Sequence, residues 1–399
     1  MEADGRTLVR DSTDWSRVAF GVALGAFAAY QQFKLPPILP DFLARYPHDP
    51  VIAAGFMSVY ALVGLLASAP IGRHLDMYLG RGIILLFVLT VIGITVALVA
   101  PWSSPLMLAS RGIEGLAFAL AALAGPAIAA GAARPHDLPL VTGLLAGWIP
   151  MGQIAAALAA LAFDDWRWLW LLGLGMTVPL AAWGWFLLGG ARRGATVARV
   201  PGRRPDAAQH RALIFAGAIF LLWSAQYFAF MTWLTQYLTV VLALDRAAAV
   251  LAYLVPVVVL LTCSILTGWG LRHRLPLVPA LTAALLGQTA IWFAQPWLSG
   301  MTGIAGLVIY GIGAGVTPAC LFHLPHAIAR RPAGAAFFGT LMTGRNIGVF
   351  LGPILLAELI GTGSHALGLG WTAGARIMAG ITALAMAAAL RLGPALRHS

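Results

Sequence analysis

The chain has 399 residues, 60% of them hydrophobic and 10% charged, with a mean hydropathy of +0.86. A soluble domain carries about 25% charged residues, so an ordinary soluble fold is excluded. The net charge of +11 would suit nucleic acid, but the basic residues are scattered over many short loops, a pattern that fits membrane topology instead.

The first sixteen residues are polar and mixed in charge, and no cleavable signal peptide is expected. Twelve apolar stretches of roughly 20 residues or more follow, each long enough to cross a hydrocarbon core of about 30 Å. They lie near 17–40, 51–72, 82–100, 105–131, 138–162, 167–190, 212–240, 247–270, 275–295, 301–329, 334–358 and 369–392. Span 1 ends in Tyr30-Gln31-Gln32-Phe33-Lys34, which contains the one lysine among 25 basic residues. An ammonium inside a bilayer marks a substrate, ion or proton pathway by default, and a lysine that snorkels to the outer interface is the alternative.

Span 4 carries Arg111 and Glu114. Three residues apart, they either pair with each other or leave Glu114 to titrate as a carrier of the coupling proton. Span 7 carries Trp223, Gln226, Tyr227 and Trp233. On span 10, Cys320, His323 and His326 are spaced three apart, which admits a soft-metal site, although Pro325 interrupts the helix and favours a packed or hydrogen-bonding His323. Span 11 places Arg345 about ten residues from its start, beside Asn346. An arginine that deep needs a carboxylate, carbonyls or an anionic ligand. The two cysteines, Cys263 and Cys320, both fall inside spans, so no disulfide framework is expected.

Arginines occupy alternate loops (Arg73 and Arg81, Arg134, Arg272 and Arg274, Arg330 and Arg331) and crowd the polar segment 191–211. Basic short loops stay cytoplasmic, which puts both termini on the cytoplasmic side of a cell inner (plasma) membrane. That segment divides the chain into an N-terminal six-helix bundle (1–190), a cytoplasmic linker (191–211) and a C-terminal six-helix bundle (212–399). The halves align at a shift of 196 residues: Gly72 with Gly268, Gly115 with Gly311, Arg134 with Arg330, Gly152 with Gly348. Such a duplication places a binding site between the halves near the midplane.

Over its whole length this plan resembles the major facilitator superfamily. Gly72-Arg-His-Leu-Asp76-Met-Tyr-Leu-Gly80-Arg81 is similar to the family's signature loop after span 2, with one extra residue before Gly80. Arg111-Gly-Ile-Glu114-Gly115 is similar to its span-4 arginine motif. Gly143, Gly147, Pro150 and Gly152 only partly echo the span-5 motif of drug/proton antiporters. Gly311-Ile-Gly-Ala-Gly-Val-Thr-Pro-Ala-Cys320 and Pro-Leu-Val-Thr-Gly143 look more like the cyanate-permease branch. The resemblance implies an all-α membrane protein of twelve transmembrane helices in two pseudo-symmetric bundles, with spans 1, 4, 7 and 10 lining a central cavity. It also implies that Gly72, Asp76 and Arg81 gate the cavity.

The expected function is therefore alternating-access transport of a small organic or inorganic anion, coupled to protons. Lys34 and Arg345 are expected to bind the negative charge, with Tyr30, Gln31, Gln226, Tyr227, His323 and Asn346 around it and Glu114 with Arg111 serving the proton. Lys34, Arg111 and Arg345 against Glu114 leave the cavity about +2, which favours an anion. The rival readings are an exporter of amphipathic drug-like compounds, a metal transporter and a receptor without flux. No cofactor, nucleic acid or enzyme activity is expected, and the partners are substrate, protons and lipid around a monomer. No phosphate-binding loop or nucleophile elbow is present in the sequence.

Overall fold

The computed structural model describes residues 12–134, 137, 140–141, 144–145, 147–189, 206–329, 335–361 and 369–398, without the side chains of 67–78, 188–189, 208, 326, 329, 335–340 and 393–398. In chain order the helices are α1 (Trp15–Phe33), α2 (Leu39–Arg45), α3 (Pro50–Val99), α4 (Ser104–Ala132), α5 (Trp148–Ala162), α6 (Arg167–Gly189), α7 (Ala207–Gln236), α8 (Arg246–Arg272), α9 (Leu277–Ala294), α10 (Gly300–Ala329), α11 (Ala335–Ile360) and α12 (Gly370–His398).

Aspartates start several of them. Asp14, Asp49, Asp206 and Asp245 each accept a backbone N–H at a helix start, where the unpaired amides and the helix dipole favour a carboxylate. Asp206 and Gln209 form a reciprocal capping box, so α7 begins at Ala207, inside the segment read from sequence as linker. Span 1 also ends earlier than its apolar run. α1 stops at Phe33, with Lys34 at its C-cap and Pro36-Pro37 in a short 3₁₀ turn. Proline supplies no amide and pushes its predecessor out of the α region.

Spans 2 and 3 fall within one helical run, α3. Tyr60 and Gly93 both reach Glu114: the Tyr60 hydroxyl donates to its carboxylate, and a Cβ on Gly93 would lie 2.6 Å from its Cγ. A straight helix would hold those two residues about 50 Å apart. The run therefore doubles back into two antiparallel arms, Pro50–Leu66 and Leu79–Val99. Among the described residues nine helices are long and apolar enough to cross a membrane, two shorter apolar helices (Pro50–Leu66 and Trp148–Ala162) join them, and α1 makes twelve.

Two six-helix bundles result, and their repeat extends to individual contacts. Gly115 lies against Tyr60, and Gly311 lies against Pro256, a shift of 196 for both partners. Gly152 packs on Ala26, Ala29 and Tyr30 of α1, while Gly348 packs on Leu221, Ser224 and Ala225 of α7. A methyl at Gly152 or Gly348 would come closer than 3.0 Å to backbone atoms of the facing helix. Without a hydrophobic force between helices in lipid, such close backbone approach is what holds a bundle together. The two bundles meet where α11 packs on α3, α5 on α8, and α2 on α7. Large apolar side chains on the outer faces, among them Val91, Phe186, Leu266, Phe293 and Leu384, are exposed and suit a lipid surround.

Candidate transport site

The ionisable centre of the first bundle forms where α1 ends. Its last carbonyls have no amide of their own helix to receive, as at any helix C-terminus. Arg111 of α4 fills that need. Its Nη1 donates to Gln31 O at 3.0 Å, its Nη2 to Gln32 O at 2.8 Å, and its Nε to Phe56 O of α3 at 3.0 Å. Nη1 also bonds Glu114 at 2.5 Å, and Nη2 touches the Met57 sulfur at 3.8 Å. All five guanidinium N–H groups are thus used.

Lys34 turns back into the same place. Its Nζ donates to Glu114 Oε1 and to Gln31 Oε1, both at 2.7 Å, and stands 4.5 Å from the centre of the Trp170 ring. Lys34 is 0% exposed, so the snorkelling alternative is excluded. Glu114 receives Lys34 on one oxygen and Arg111 and Tyr60 on the other. Among the described residues Glu114 is the only buried carboxylate. The cluster is a closed network of charge +1, from two cations and one anion. Both sequence readings of Arg111 and Glu114 underestimated it, because Glu114 holds two cations rather than one. A cavity of about 10 Å³, room for roughly one water, lies against Glu114 and is lined also by Gln31, Thr90 and Phe118.

The second bundle has a neutral version of this arrangement. Gln226 stands 195 residues after Gln31, and Tyr310 stands 196 after Glu114. Gln226 Oε1 accepts from Tyr310 at 2.8 Å and from Trp292 Nε1 at 2.6 Å. The amide is kept at the equivalent place, while the carboxylate of one half is a phenol in the other and Lys34 has no basic counterpart there.

Arg345 belongs to neither network. It lies on α11 at the seam between the bundles, 5.7 Å from the Phe228 ring and within electrostatic reach of Tyr227. Its Nη1 donates to Asn346 Oδ1 at 3.0 Å, and among the described residues no carboxylate lies within 4.0 Å of it. Phe228 also meets Phe33 of the first bundle, their ring centroids 5.8 Å apart. Tyr227 bridges the halves by donating to Gln153 Oε1 of α5 at 3.3 Å. Tyr253 of α8 faces the same amide.

The structure therefore brings Lys34, Gln31, Arg111 and Glu114 together and sets Arg345, Asn346 and Tyr227 apart from them. Tyr30 points to α6, donating to Leu169 O at 2.7 Å. Gln226 is turned into the second bundle. His323 is exposed on α10. His326, Gly72 and Asp76 have side chains outside the described residues; Arg81 is exposed at the start of the second arm of α3. Among the described residues no three metal-ligating side chains gather.

Sequence reasoning missed Tyr60, Trp170, Gln153, Tyr253 and Arg246. Gln153 could have been found, since a lone amide in an apolar span has to find a partner. Tyr60 and Trp170 are aromatics among many and carried no signal. Arg246 joins the bundles at the face opposite the termini. Its Nε lies 2.9 Å from Asp41 Oδ2, its Nη1 2.7 Å from Asp164 Oδ1, and its Nη2 donates to Ala160 O at 2.8 Å and to Phe163 O. Beside it the Thr235 hydroxyl donates to Pro36 O across the same seam.

The fold recurs in solved transporters. A point mutant of the nucleoside transporter NupG superposes with a TM-score of 0.72 at 13% identity, covering 93% of this chain and 99% of that one. A bacterial homologue of the human lysosomal transporter Spinster, inward-facing and occupied, gives 0.70 at 15% identity over 95% and 96%. A second NupG structure gives 0.69 at 15% over 94% and 98%. No curated protein matches the sequence. The Major Facilitator Superfamily profile matches residues 21–353. With twelve spans in two repeated bundles and a family match over most of its length, the chain belongs to the Major Facilitator Superfamily and is a multi-pass membrane transporter.

Proposed function

We propose that the protein is a secondary active transporter that moves a small anion by alternating access, coupled to protons. The observation that carries this reading is Arg345: a permanently charged group at the seam of the bundles, without a carboxylate among the described residues. Burying such a charge unpaired is costly, and an anionic substrate would relieve that cost during each cycle. The buried Lys34, Arg111 and Glu114 together with the half-buried Arg345 sum to +2, which points the same way.

In this reading the proton is handled apart from the substrate. Among the described residues Glu114 is the one carboxylate placed to take it, beside a cavity of water size. Protonation would release Lys34 from its anion and loosen the grip on the end of α1, so that proton occupancy biases the rocking of the bundles. The seam is bolted by Arg246 on the face opposite the termini, while Arg345 is only partly covered, so the anion enters from the terminal face in this state. The arginines of the short loops assign that face to the cytoplasm of a plasma membrane, around a monomer. The residues 191–211 would then tie the bundles together on the inside.

The test is reconstitution in liposomes containing a pH-sensitive dye. Adding small anions one at a time should move protons with wild-type protein and fail to do so with Arg345→Gln. Proton movement elicited by cations or by neutral amphipathic compounds, undiminished in Arg345→Gln, would overturn the reading.

A further inference from the structure

We propose that the anion is a monocarboxylate on a flat, apolar body, bound where Arg345, Tyr227, Tyr253 and Gln153 meet. This rests on the anion reading above and adds the class of substrate and two residues, Gln153 and Tyr253, that complete its site.

Charge sets the first limit. Arg345 is the only cation at the seam among the described residues that is not consumed by Glu114 or by backbone carbonyls. One guanidinium matches one negative charge. A dicarboxylate or a phosphate dianion would bring a second charge out of water with no partner. Geometry sets the second. Only Nη1 of Arg345 has a described hydrogen-bond partner, Asn346, which fixes the fork and leaves its other N–H groups for the two oxygens of a carboxylate.

The walls set the third. Tyr227 stacks on Trp223 with centroids 5.1 Å apart and planes 8° apart, and Phe228 meets Tyr227 edge-on at 5.3 Å and 85°. Phe33 closes the side contributed by the first bundle. Rings held in this way form an apolar aromatic wall against which a flat body can pack, and which a nitrate-sized ion could not use. Finally, Gln153 Nε2 and the Tyr253 hydroxyl are fully buried beside Tyr227 and face each other, and neither has a hydrogen bond of good geometry. A buried donor left without an acceptor is costly, and a carboxylate oxygen or a ring hydroxyl on the ligand would satisfy both. The four polar groups come from α5, α7, α8 and α11, so the site is assembled only when the bundles close.

The experiment is equilibrium binding to the purified full chain in nanodiscs, read by tryptophan fluorescence and calorimetry. The probes are benzoate, cyclohexanecarboxylate, benzamide, terephthalate and nitrate. Benzoate should bind at least tenfold more tightly than each of the other four. Arg345→Gln should remove benzoate binding, and Trp223→Leu should weaken it at least tenfold while leaving nitrate unchanged. Nitrate or terephthalate binding as tightly as benzoate, and lost in Arg345→Gln, would overturn the flat-monocarboxylate class and leave the anion reading standing. Binding of benzamide at the level of benzoate, unaffected by Arg345→Gln, would overturn both. The wild-type probe series decides between these outcomes even if a variant fails to fold.

Discussion

Lys34 shows how a single residue can serve packing and charge at once. Its ammonium has three partners, an acid, an amide and an indole face, which match its three donor directions. Because the site is fully buried, breaking it asymmetrically is costly: removing one partner of a buried pair costs about 3–5 kcal/mol, while removing both is close to neutral. Glu114→Gln would leave Lys34 and Arg111 facing each other without an anion. We expect that variant to lose about 3–5 kcal/mol of stability, and Lys34→Met with Glu114→Gln to recover most of it. Thermal unfolding of the two variants in the same detergent measures the difference. A double variant as unstable as Glu114→Gln would mean that the charge of Lys34 does not set the energetics.

At the scale of helices, the glycines of α11 decide how near α7 can come. Gly344, Gly348 and Gly352 recur every four residues and meet Gly217, Leu221 and Ala225 of α7, at distances where a Cβ would strike a carbonyl oxygen. Gly348→Ala should destabilise by roughly 1–3 kcal/mol, the usual cost of overpacking. Gly380 on α12 has nothing within 4 Å of its Cβ position, and Gly380→Ala serves as the control with no loss. Equal melting temperatures for the two variants would show that the α7–α11 contact is compliant. The consequence reaches the site, since α7 carries Tyr227 and α11 carries Arg345. A wedge between these helices should weaken benzoate binding as well as stability.

For the molecule as a whole, closure at the face opposite the termini rests on few groups. Arg246 on the second bundle reaches Asp41, Asp164 and two carbonyls of the first, and Thr235 reaches Pro36. The carboxylates are exposed, so screening makes each bond weak. Their value lies in being made in one state only, which is the condition for biasing an equilibrium between two states. Arg246→Gln should shift the population toward opening at that face. A Thr235→Cys probe should then react several-fold faster with an impermeant maleimide than it does with Arg246 intact. Unchanged labelling would place the closing energy in the apolar packing of α2 on α7.

The sequence by itself determined the membrane class, the span count, the repeat and the family, because hydropathy over twenty residues and a constant shift between halves are properties of the chain in one dimension. It also picked out Lys34, Glu114, Arg111 and Arg345, since ionisable groups in apolar spans are conspicuous. It did not determine their pairing. Lys34 and Arg345 looked equivalent as buried cations, and only the tertiary structure gave Lys34 to Glu114 and left Arg345 at the seam. The end of α1 at Phe33 decided the first, because it exposes carbonyls that draw Arg111 in and lets Lys34 fold back onto α4. The doubling of α3 brought Tyr60 to the same carboxylate. Gln153 became a neighbour of Tyr227 and Tyr253 only through contact between the two bundles. Contacts between residues 54 or more positions apart depend on how helices face one another, which periodicity within each helix leaves open.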